Sequence, residues 1–103
     1  MKTYPKKRIE IIIEAPLSRR VMEQLNQTGV TGYSVVPLLC GKGLSRFWSA
    51  DGQVSNASEM VSIICITDAS LAETVLEKIF SIVSRHLGIV SMSDVVVIRP
   101  EHF

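Results

Sequence analysis

An α+β fold, with a four-stranded antiparallel sheet and two helices on one face, is predicted by three observations. Ile9, Ile11 and Ile13 alternate along Arg8–Glu14, the period of a strand with one buried face. Leu17, Val21, Met22 and Leu25 recur at helical spacing, and so do Leu71, Val75, Leu76, Ile79, Phe80 and Val83. Each helical run follows one β-branched segment and precedes another, so the order is β-α-β, a long loop, then β-α-β.

The first strand ends before Pro16, which suits the first turn of a helix. Gly29 is the expected stop, because a helix commonly ends on a left-handed residue that glycine adopts freely. Tyr33–Leu39 reads as the second strand, and its Pro37 points to a sheet edge, where a missing N–H costs nothing. Met60–Ile66 is nearly unbroken apolar sequence, as expected of a strand covered on both faces. Ser70-Leu71-Ala72-Glu73 has the form of a capping box for the second helix, with Asp68 as a rival cap. The stripe Leu71 to Val83 is expected to face the sheet. That helix runs out near Arg85-His86-Leu87, where a protonated His86 would favour the helix end. Two strands are expected after Gly88, at Ile89–Met92 and Val95–Ile98. Right-handed crossovers then place both helices on one side, the ferredoxin-like βαββαβ plan, with a glycine closing each helix as in an internal duplication. Ile12 and the alternating apolar residues of the third strand leave the other sheet face greasy. Such a face is normally covered by another subunit.

The chain of 103 residues supports one domain, 1–103, around one core. At 47% apolar and 20% charged it has globular composition. A net charge of +1 argues against a duplex-nucleic-acid binder, which needs a basic face. Lys6-Lys7-Arg8 reads as solvated charge at the start of a strand. No apolar run is long enough to span a bilayer and no secretory leader opens the sequence, so a cytoplasmic protein is expected. Cys40 and Cys65 fit a reducing compartment, and their spacing from His86 and His102 is not that of a metal site. Cys65 reads as a small core residue. No paired carboxylates are poised for acid–base chemistry, and no enzyme activity is expected.

Cys40–Ser58 is the informative exception. It is a polar stretch, longer than the ~12–15 residues beyond which a structureless loop in a compact domain is usually functional. Gly41-Lys42-Gly43 stands at its root and offers free backbone N–H groups, close approach and a cation, which together suit a phosphate. Phe47 and Trp48 follow; they pin the loop locally, anchor a partner, since rigid aromatics carry much interface energy, or stack on a base.

Several segments, in order, resemble the PII signal-transduction superfamily. They are Gly29-Val30-Thr31-Gly32-Tyr33-Ser34-Val35, Gly41-Lys42-Gly43, Ser45-Arg46, the run Ser49–Glu59 (SADGQVSNASE), Gly88-Ile89-Val90 and Val95-Val96-Val97-Ile98-Arg99. The likeness is strongest to the PII-like branch associated with bicarbonate transporters and carboxysomes, and it covers nearly the whole chain. It implies a homotrimer with sheets turned inward and adenine-nucleotide sites between subunits. The long loop would order with ligand and dock on a partner, a bicarbonate or anion transporter or another carbon-metabolism protein. By this resemblance Ser34 lies near the adenine, and Ile64, Cys65 and Ile66 line the base, largely through main chain. Gly41, Lys42 and Gly43 wrap the phosphates, Arg46 is the loop arginine, Gly88 with Ile89 forms the loop that reaches phosphate, and Arg99 contacts phosphate.

The departures refine the expectation. Nitrogen-sensing members carry a lysine where Ile89 stands, a tyrosine in the loop where Cys40–Ser58 has none, and a glutamine where this chain reads Leu39-Cys40-Gly41. Neither 2-oxoglutarate sensing nor uridylylation is therefore expected. With one phosphate-facing cation fewer, AMP or ADP is expected to bind in preference to ATP; bicarbonate is a candidate second ligand. The alternatives are a small ferredoxin-like enzyme of acylphosphatase type and a metal-tolerance trimer of the CutA kind. The first needs an anion cradle that Ala15-Pro16-Leu17-Ser18 lacks, and the second lacks the long glycine-rooted loop.

Overall fold

The computed structural model of the chain describes residues 1–42, 47–49 and 59–101, the middle segment by its backbone alone. Strand β1 (Tyr4–Glu14) begins earlier than its isoleucine alternation indicates. A 3-10 turn at Ala15–Leu17 holds Pro16 and leads into helix α1 (Ser18–Thr28), which ends on Gly29 at φ 84°, the left-handed stop expected from the sequence. Strand β2 (Tyr33–Pro37) is followed by two short strands, β3 (Cys40–Lys42) and β4 (Phe47–Ser49), which pair as a separate ribbon. Strand β5 (Met60–Thr67), helix α2 (Ala69–Val83) and strand β6 (Gly88–Val97) complete the order.

The main sheet has the order β2-β5-β1-β6, antiparallel throughout. Pro37 is on an edge strand and Met60–Thr67 is internal, both as the sequence indicates. On the helix side Ile9, Ile11 and Ile13 face inward with Ile63 and Cys65, and all five are fully buried. Val21 and Leu25 from α1, and Ala72, Val75, Ile79, Ile82 and Val83 from α2, close this core. The fold is the ferredoxin-like plan, with both helices on one face.

Five local expectations are corrected. The two final strands are one continuous strand, because the polar interruption at Ser91–Asp94 falls within an unbroken ladder to β1. Asp68, not Ser70, is the cap position of α2, and its side chain does not cap; its carboxylate pairs with the Lys6 ammonium instead. Phe80 is 67% exposed whereas Ile82 is buried. The helical stripe overhangs edge strand β6, leaving a groove of about 370 Å³ lined by Leu76, Glu77, Phe80 and Val90. The loop expected over Cys40–Ser58 contains the β3–β4 ribbon. Lys6, Lys7 and Arg8 are half-buried rather than solvated, and they face Asp68, Asp94 and Glu10 respectively.

Candidate functional site

Strand register decides which predicted residues can share a surface. Directly opposed residues on neighbouring antiparallel strands point to the same side. One row reads Ser34, Ile64, Glu10, Ser91 and the next reads Val36, Ser62, Ile12, Ile89. Both lie on the side away from the helices. Ser34 therefore stands directly beside Ile64, with Ile66 two residues further along the same face; Ser34 is exposed and both isoleucines are half-buried. Cys65 points the other way, fully enclosed in the core. Burial pushes its thiol up to about 11, so it stays neutral and only its main chain is available to a ligand.

The loop base is anchored at one end of the sheet. Pro37, Val61, Ile13 and Gly88 form a single row across all four strands, so β2 ends where β6 begins. Gly41 and Lys42 follow on β3, opposite Trp48 and Phe47 of β4. Lys42 is exposed and has no ion pair among the described residues. Gly43 and Arg46 lie outside the described residues. Gly88 has a packing reason of its own: a Cβ there would meet Ile13 Cγ2 at 3.1 Å and the Ile12 carbonyl oxygen at 3.4 Å. Its φ is not positive, so close approach to β1, rather than a special backbone conformation, calls for glycine.

One chain does not gather all of these groups. The loop base follows edge strand β2, and Gly88 and Ile89 belong to the opposite edge strand β6, about 14 Å away at ~4.8 Å per strand. Arg99 is exposed beyond the far end of β6, roughly 30 Å from Gly88 at ~3.3 Å per residue. A second groove, about 210 Å³ and lined by Pro5, Lys6, Lys7, Ala69 and Asp94, lies elsewhere. Neither groove includes Ser34, Gly41, Lys42, Gly88 or Arg99. No cluster of metal-ligating side chains occurs among the described residues.

The open face also carries a polar group that sequence reading overlooks. Ser62 Oγ donates to Glu10 Oε2 at 2.7 Å, and Arg8 Nη1 stands 3.6 Å from Glu10 Oε1. Arg8 and Glu10, two residues apart on one strand, share a face by alternation; only the register adds Ser62 to them.

Comparison with known proteins agrees with the sequence resemblance. Residues 6–102 match the family described as Nitrogen regulatory protein P-II. The structure is similar to that of CPII, a nitrogen regulatory PII-like protein from Thiomonas intermedia K12 solved with ADP, AMP and bicarbonate. The identity is 30%, over 96% of this chain and 93% of that one, with a TM-score of 0.88. A putative PII-like signaling protein from Thermus thermophilus shares the fold at 23% identity and a TM-score of 0.83, over 100% of this chain and 99% of that one. The B. subtilis GlnK–ATP complex does so at 17% and 0.63, over 88% and 82%. Among curated proteins nothing matches. The chain belongs to the P-II family of nitrogen regulatory proteins, and its architecture is that of the PII-like members.

Proposed function

We propose that this protein is an adenine-nucleotide sensor that binds ADP or AMP between the subunits of a homotrimer. Ser34, Ile64, Ile66 and the main chain of Cys65 hold the base. Gly41, Lys42, Gly43 and Arg46 of the loop, with Gly88 and Ile89, hold the phosphates, and Arg99 is supplied by a neighbouring subunit. The observation that carries this reading is the separation of Arg99 from Gly88 by the length of β6. A site using both needs two copies of the chain. The ligands of the Thiomonas protein, ADP, AMP and bicarbonate, support the nucleotide class and make bicarbonate a second candidate.

The loop after β2 carries the signal. Nucleotide at its root shifts its population by the difference in affinity between loop states, and a partner protein that reads Phe47 and Trp48 senses that shift. The partner is an anion transporter or a carbon-metabolism protein, and the protein acts in the cytoplasm as a regulator, not a catalyst.

The experiment is isothermal titration of the purified protein with AMP, ADP and ATP. ADP or AMP is expected to bind at least about tenfold tighter than ATP, because Ile89 brings no cation to a third phosphate. Tighter binding of ATP would overturn the preference, and absence of heat with all of them would overturn the function.

A further inference from the structure

The open face of the sheet is ionic at its centre and mixed around it, with Ser91 and Ser93 of β6 opposite Glu10 and Arg8, Ser34 on β2, and apolar residues between. Val36, Ile12, Ile64, Ile66, Ile89 and Val95 are the apolar residues that share this face with Arg8, Glu10 and Ser62. Ser62 is only 2% exposed although no element packs on its side of the sheet among the described residues. The Glu10 carboxylate lies back over it and accepts its hydroxyl proton. Glu10 is thus already fixed and partly desolvated in a single chain, with 30% of its side chain exposed. The Arg8 guanidinium, 34% exposed, reaches Glu10 only at 3.6 Å, beyond hydrogen-bonding distance. Its Nη1 therefore stands beside the carboxylate without donating to it, and the guanidinium retains donors for a further acceptor.

We infer that Arg8 and Glu10 form ion pairs between copies of this chain, Arg8 of one subunit to Glu10 of the next, and that these pairs fix how the sheets pack. The inference rests on the homotrimer reading above and goes beyond it by assigning the contact. A second copy is the fitting occupant because the centre is neutral and self-complementary, one cation and one anion two residues apart on the same strand face. The apolar residues of the face drive association without direction, and a buried charge pair penalises any packing that leaves it unmatched. Such groups select one geometry more than they add affinity. The titratable and charged groups on this face are Tyr4, Lys6, Arg8, Glu10 and Glu14 of β1; Lys6 is engaged by Asp68, and Tyr4 and Glu14 lie at the strand ends.

The test uses the full chain with two charge reversals, Arg8→Glu and Glu10→Arg, each checked for folding by circular dichroism. Native mass spectrometry and sedimentation read assembly. Each variant alone is expected to assemble at least about a hundredfold more weakly than the parent, because like charges then meet across the interface. Mixing the two is expected to recover assembly in part, as mixed trimers in which two of the three interfaces carry opposite charges and one keeps a like-charged pair. Ser62→Ala, which frees Glu10 without changing charge, is expected to weaken assembly less than either reversal. If the parent assembles and both reversals assemble equally well, the inference falls while the nucleotide reading stands. Dissociation of both without recovery on mixing also overturns it, because the pair is then internal to one chain. A parent that is itself monomeric overturns the trimer reading first.

Discussion

Ile11→Ala is expected to destabilise the subunit by about 2–5 kcal/mol. Ile11 is fully buried at the middle of β1, opposite Ile63 on one side and Val90 on the other, in the core to which both helices contribute. Truncation removes the transfer free energy of three carbons and leaves a cavity that flanking strands cannot fill, because their ladders to β1 hold them apart. A small domain has about 5–15 kcal/mol in total, so the loss is a large share. It corresponds to a fall in Tm of roughly 10 °C or more. Ile11→Val removes a single methyl and should cost about 0.5–1.5 kcal/mol. Urea unfolding checks both: the midpoint should fall in that order with the slope unchanged. Equal midpoints for Ile11→Ala and the parent would contradict the placement of the core.

The second large effect concerns the ligand. Lys42→Ala is expected to weaken ADP binding by roughly tenfold to a hundredfold, the range for losing one charge-assisted contact to phosphate. Lys42 is exposed, held on β3 between Gly41 and the loop, with no carboxylate partner among the described residues to compete with a phosphate. Adenosine, which has no phosphate, should bind the variant and the parent alike. Lys42→Arg should recover most of the affinity, and raised salt should narrow the gap between parent and Lys42→Ala. An unchanged ADP constant in Lys42→Ala would return this residue to an ordinary solvated loop charge.

Much of the fold is legible in the sequence because it rests on local periodicity. The alternation of Ile9, Ile11 and Ile13 needs no partner to be read, and Gly29 announces the end of α1 through its own backbone freedom. What escapes local reading depends on register. Whether Ser91–Asp94 interrupts a strand is decided by Lys7 across the ladder, which pairs with Asp94. Whether Ser70 or Asp68 caps α2 turns on the sheet and helix meeting where Lys6 reaches the Asp68 carboxylate. Phe80 fits the helical stripe as well as Ile79 does, but the sheet ends beneath it. The candidate site divides in the same way. Sequence order points to Ser34 and Gly88, and register shows that Ser34 and Ile64 are neighbours on the open face whereas the Cys65 side chain is not available. Arg8, Glu10 and Ser62 are invisible as a group in the sequence, since Ser62 joins the others only through the pairing of β1 with β5.

Nucleotide capture belongs, on this reading, to an assembly rather than to a single chain. Native mass spectrometry of the purified protein with ADP, across a dilution series, tests that most directly. The expected result is a three-chain species that retains ADP, with nucleotide lost as the species dissociates. A single chain carrying ADP, or an intact assembly that retains none, would contradict it.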